Sequence, residues 1–142
     1  MRKLILTGAI ATLGVGLLAT SASASFDHHF SVIAKQVSGH QVGQHAFVFK
    51  DKLLQPGNRS NRVGRDKGKC REGSHKIRCH VVVHLNGEIG GLGDLLLAGN
   101  FGPADQRLNV VDGTGDFNGV AGKMVLHSLS RNTDRLHFDL VR

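Results

Sequence analysis

From about residue 29 onward the chain alternates apolar and polar residues in short runs, and glycine, asparagine or proline separates one run from the next. Phe47 and Phe49 share one side of an extended segment against Val48 and Lys50, and Leu136, Phe138 and Leu140 lie opposite His137 and Asp139. A period of two, rich in branched and aromatic residues, is the pattern of half-buried β-strands. Eight such runs fall at 29–37, 44–54, 62–70, 78–86, 93–101, 106–112, 120–128 and 135–141. Pro56-Gly57-Asn58 and Gly102-Pro103-Ala104-Asp105 read as loops and Asn86-Gly87 as a hairpin pair. Strands at this spacing predict an all-β domain with little or no helix.

The densest turn signal is Val110 to Gly122, where two apolar runs flank a glycine-rich reversal built around Phe117. Glycine tolerates positive φ and close backbone approach, so this stretch predicts a crowded reversal between the strands of a small antiparallel barrel. Asp112, Asp116 and Asn118 flank it, and turn aspartates are expected to bond their own backbone and set the reversal. It is not a nucleotide site. Phe117 and Met124 stand where a phosphate loop needs Gly and Ser or Thr, and Asn118 stands where the third glycine of a dinucleotide fingerprint belongs.

Residues 1–24 read as an export signal of bacterial form: Arg2 and Lys3, an apolar stretch from Leu4 to Leu18, then Ala22-Ser23-Ala24. Cleavage is expected between Ala24 and Ser25, leaving one domain at 25–142 with a single core and no integral membrane segment. The expected location is secreted, in the medium or at the cell wall. With no Trp and no Tyr, that core must be built from Phe, Leu, Val and Ile. Cys70 and Cys79 are the only cysteines, and an even count in an exported chain predicts a disulfide, suited to stapling one hairpin. The alternative is a free reactive thiol at Cys70.

Charge is unevenly placed. The net +7 falls to +5 once Arg2 and Lys3 leave with the leader, and segment 59–78 alone holds eight basic residues against Asp66 and Glu72. One hairpin therefore carries the positive charge, with Arg65, Lys67 and Lys69 on one face of its strand. Arg62, Gly64, Asp66, Gly68 and Cys70 are expected on the other. The basic face is a candidate polyanion surface. It lacks stacking aromatics, so sequence-specific nucleic-acid binding is not expected.

Four segments, in order, carry a resemblance. They are Phe49-Lys50-Asp51-Lys52-Leu53-Leu54, then Arg62-Val63-Gly64 with Gly68 and Cys70, then Gly93 to Phe101, then Asp112-Gly113-Thr114-Gly115-Asp116-Phe117 with Gly119 and Gly122. Over residues 45–141 the chain resembles the allene oxide cyclase-like barrels, relatives of the plant dirigent proteins, and most closely their bacterial exported members. The resemblance implies an eight-stranded antiparallel barrel with a central cavity, often assembled as a homotrimer. It also implies work without a cofactor, either guiding or binding a small apolar molecule or isomerising or cyclising a secondary metabolite. The chain departs from the cyclases in two respects: Phe30 to Val37 contains no acid, and no tyrosine is available to line a pocket.

Asp66 is the leading candidate for chemistry. Family geometry turns it inward, where low dielectric would raise its pKa and fit it as a general acid or ligand anchor; pairing with Arg62 or another neighbouring Arg, or exposure to solvent, is the plainer alternative. Phe47 and Phe49 are the candidate apolar wall beside it. His80 and His84 look like a ligand pair, yet four residues of strand separate their Cα atoms by about 13 Å. A single-ion site would need a partner strand to contribute, and no metal-binding set is read from the sequence.

Overall fold

The computed structural model describes residues 27–102 and 105–142, so the leader and the Ala24–Ser25 junction lie outside the described residues. The strands are β1 (Asp27–Val42), β2 (Ala46–Gln55), β3 (Asn58–Glu72), β4 (Ile77–Asn86), β5 (Leu92–Phe101), β6 (Arg107–Gly113), β7 (Ala121–Ser130) and β8 (Thr133–Val141). Each pairs antiparallel with the next. β8 returns to β1, from Asp27 opposite Val141 to Lys35 opposite Thr133, and closes the sheet into the eight-stranded barrel that the alternation predicts. Among the described residues the helical structure is one 3₁₀ turn, Gly115–Phe117, and no helix is long and apolar enough to cross a membrane.

Alternation fills the interior. Val32 on β1, Leu53 on β2, Val83 and Leu85 on β4, Leu95 on β5, Leu108 on β6 and Phe138 and Leu140 on β8 are all fully buried. The glycine-rich reversal closes one end. Gly115 has φ +60°, and a Cβ there would collide with the Leu92 carbonyl, so the turn folds tightly against the β4–β5 loop and drives Phe117 into the barrel with no exposed surface. Phe30 stacks on Phe138 at 4.8 Å between ring centroids and meets Phe117 at 6.4 Å, forming an aromatic plug. Asp112 accepts from the Gly113 N–H at 2.8 Å, within its own turn as expected, whereas Asp116 accepts from the Leu92 N–H at 2.8 Å and so ties the turn to the start of β5.

Two strands run beyond their expected ends. β1 continues to Val42 through the exposed segment Ser38-Gly39-His40-Gln41, held by its ladder to β2 rather than by an apolar face. Pro56-Gly57 is a tight turn rather than a loop, with φ +81° at Gly57 and β3 resuming at Asn58. A further correction concerns Arg62. The β2–β3 register shifts between Leu53 and Leu54, Val63 becomes the fully buried residue of the bulge, and Arg62 is exposed. A bulge inserts one residue and reverses the alternation beyond it, so Arg62 does not share the Asp66 face. Its guanidinium donates to the Gly64 carbonyl instead.

Cys70 and Cys79 stand directly opposite on β3 and β4 with their sulfurs 2.00 Å apart, so the expected disulfide is present and the free-thiol alternative is set aside.

Candidate functional site

The end of the barrel away from the Phe117 plug is hollow. A cavity of about 210 Å³ is lined by Phe47, Phe49, Asp51, Asp66, Arg131 and Asp134, with apolar side chains from the far wall. It shares Phe47, Phe101 and Leu126 with a wider vestibule of about 730 Å³ beneath the β3–β4 turn, where the Cys70–Cys79 bridge also lies. The sequence candidates Asp66, Phe47 and Phe49 thus meet in one space.

Local sequence explains how. In β2 the inward phase that carries Phe47 and Phe49 reaches Asp51 two residues later, and in β3 the phase of Gly64 and Gly68 carries Asp66 between them. Asp51 and Asp66 are direct cross-strand partners. Gly68 is required beside them because a Cβ there would collide with the Phe49 ring. On the other side of β1, Asp134 of β8 stands opposite Ala34, while Gln36 of β1 stands opposite Asp51. β1 itself presents only Ala34 and Gln36 to the cavity, and the acids flank it from the neighbouring strands.

The electrostatics follow from burial. Asp66 is 4% exposed, and its Oδ1 has no hydrogen-bond partner. Desolvation first, then the Asp51 charge and a hydrogen bond to Asp51, push the Asp66 pKa up to about 8. Burial also raises Asp51, while its hydrogen bond to Asp66 pulls the other way. Two adjacent carboxyls in low dielectric cannot both ionise cheaply, so the pair holds one proton at neutral pH, with Asp66 the protonated partner. Among the described residues no arginine pairs with Asp66, and Arg62 is turned to the outside.

The cavity is two-faced. Asp134, Gln36, Asp51 and Asp66 form a polar wall across β8, β1, β2 and β3, with Arg131 and Asn132 of the β7–β8 turn beside it, and Val81, Leu97, Leu108 and Met124 form an apolar wall across β4 to β7. Such a space fits a small molecule with an apolar body and one polar edge. Asp51 and Asp134 are absent from the sequence candidates, although each lies in phase with inward apolar residues, Phe47 and Phe49 for one and Leu136 and Phe138 for the other. An acid in register with a buried stripe was the available signal.

Arg65, Lys67 and Lys69 lie exposed on β3, on the face opposite Asp66, as the alternation requires. Lys50 and Lys52 of β2 stand directly opposite Lys67 and Arg65, which extends the basic outer face onto a second strand.

No family model and no curated protein sequence matches the chain. In structure it is similar to a pyocyanin demethylase, with a TM-score of 0.63 at 16% identity over 80% of this chain and 99% of that one. It is also similar to a pterocarpan synthase dirigent protein, with a TM-score of 0.66 at 13% identity over 95% of each chain. The fold is therefore the dirigent-type, allene oxide cyclase-like barrel that the sequence motifs anticipate.

Proposed function

We propose that this protein is an exported barrel that binds and orients a small, mainly apolar molecule in the cavity between Phe49 and the Asp51–Asp66 pair. The observation that carries this reading is the unpartnered Asp66 Oδ1, buried inside an apolar space that opens to solvent at one end. An unsatisfied buried oxygen costs about 1–3 kcal/mol, a cost that a ligand hydroxyl or amine would relieve. The similarity to a dirigent protein supports the same reading. The disulfide fits an oxidising compartment, and with the apparent leader it supports export.

Native mass spectrometry of the exported protein, equilibrated with extract of its own host culture, tests the reading. A discrete adduct is expected, lost in Leu126→Trp, which narrows the mouth without filling the packed end. Affinity should fall about tenfold in Asp66→Ala. An adduct unaffected by both changes would place the ligand elsewhere.

One observation favours a second reading, cofactor-independent isomerisation or cyclisation. A carboxyl that keeps its proton near neutral pH can protonate a ligand oxygen, and the resulting carboxylate can take a proton back from carbon, so atoms and electrons balance without a redox partner. Isomers share a mass, so the bound and free compounds must be compared by chromatography. Asp66→Asn discriminates the two readings. Its amide still donates a hydrogen bond but yields no proton, so binding survives in either case while conversion is lost only if the barrel is catalytic.

A further inference from the structure

Away from the cavity, on the outer face of the seam where the last strand meets the first, three side chains converge. His29 of β1 stands opposite Asp139 of β8, and His137 sits two residues before Asp139 on the same outward phase. His29 Nδ1 lies 2.7 Å and His137 Nε2 3.1 Å from the same oxygen, Asp139 Oδ1. One ligand atom from each of the three residues falls within 4.8 Å of the others. We propose that His29, His137 and Asp139 form a surface site for a divalent transition-metal ion of the zinc class, which clips β1 to β8 and keeps a coordination position open to solvent.

The remaining ring nitrogens strengthen the assignment. His29 Nε2 is 2.7 Å from Asp27 Oδ1, and His137 Nδ1 is 2.8 Å from Ser31 Oγ. Each imidazole is therefore held from behind by an oxygen, which fixes the ring and leaves the inner nitrogen to face a metal. Histidine ligands in metalloproteins are held in this way by carboxylates, carbonyls or water. Two imidazoles and a carboxylate are the donor set of three-residue zinc sites, and they disfavour magnesium and calcium, which want oxygen alone. Asp27 adds a second negative charge nearby. Lys123 Nζ lies 3.7 Å from Asp139 Oδ2, the oxygen that does not face the two histidines, so it opposes the ion by charge without occupying its place. The half-exposed rings leave the site accessible. The sequence pairs His80 with His84, but they lie four residues apart on one strand, and among the described residues no three-ligand group forms around them. The partner strand that a single-ion site needs is supplied instead at His29, by β8.

The clip has a readable consequence. An ion bound only by the folded barrel stabilises it in proportion to its excess over Kd, and a hundredfold excess raises Tm by roughly 10 °C for a domain of this size. The test is calorimetric titration of the untagged mature protein with ZnCl₂, paired with thermal melts. One zinc per chain is expected, with affinity reduced at least tenfold in His29→Ala and Asp139→Asn and unchanged in His80→Ala/His84→Ala. Imidazole nitrogen NMR of the wild-type protein removes dependence on any variant's folding, since zinc should shift the His29 and His137 signals and leave those of His80 and His84 in place. Zinc binding that survives His29→Ala, shifts confined to other histidines, or no Tm response at saturation would overturn the proposal.

Discussion

Replacing Asp66 by asparagine exchanges one oxygen for an amide nitrogen inside the barrel and removes the group that resists ionisation there. In the unfolded chain this carboxyl ionises near pH 4. In the barrel, burial and then the Asp51 charge and hydrogen bond push it up to about 8. A group whose folded pKa is raised contributes its full stability below the unfolded value and loses it as pH climbs through the folded one, so the window here runs from about pH 4 to about pH 8. Within it the folded state loses about 1.4 kcal/mol per pH unit, reaching about 4 kcal/mol at pH 7 as an upper figure. Asparagine is neutral throughout, and its amide can donate to the Asp51 carboxylate. The variant should match the wild type near pH 4 and exceed it by roughly 2–4 kcal/mol near pH 7.5, a gap of about 8–15 °C in Tm. Urea melts of both proteins from pH 4 to pH 8.5 measure this, and the difference between them cancels the titration of the nine histidines. A gap that stays constant with pH, or a variant less stable at pH 7.5 than at pH 4 relative to wild type, would refute the buried proton.

Three further perturbations bear on the frame around the cavity. Serine at both Cys70 and Cys79 should lower stability by about 2–4 kcal/mol in chemical melts, because the bridge constrains the unfolded hairpin. Phe117→Ala removes a fully buried ring from the closed end and should cost about 3–5 kcal/mol, with faster amide exchange in β5 and β6; a loss below 1 kcal/mol would mean that the plug is dispensable. Lys67→Glu should stabilise the barrel by about 0.5 kcal/mol at low salt, with the gain shrinking at 0.5 M NaCl, because Lys50 stands directly opposite.

Much of this architecture is legible before any coordinates. The inward stripe Leu136, Phe138, Leu140 and the glycine-rich turn around Phe117 are both found where alternation and turn chemistry place them. What periodicity could not supply was anything set by a neighbouring strand. The outward turn of Arg62 depends on a bulge that appears only in the β2–β3 register. The length of β1 past Val37 depends on ladder bonds to β2, since its own residues there carry no apolar face. The same blindness separated Asp51 from Asp66, fifteen positions apart in the chain and adjacent across the sheet.

That pairing also changes the meaning of the acid missing from the first strand. Between Phe30 and Val37 the chain offers no carboxylate, one of its two departures from the cyclases. In the barrel, the strands on either side of β1 supply the acids, with Asp134 opposite Ala34 and Asp51 opposite Gln36, and the small Ala34 leaves the space between them open. The polar wall is therefore displaced, not absent. Because the opposite wall is uniformly apolar, a ligand of the proposed kind would be oriented with its donor groups towards β8, β1, β2 and β3 and its hydrocarbon towards β4 to β7. Asp66 keeps its proton beside Asp51, and Arg131 and Asn132 also line the cavity, so its polar side offers both donors and acceptors to a polar edge. On the proposed binding reading, orientation is therefore set by strand register, which places the acids on one side of the cavity and the hydrocarbon on the other.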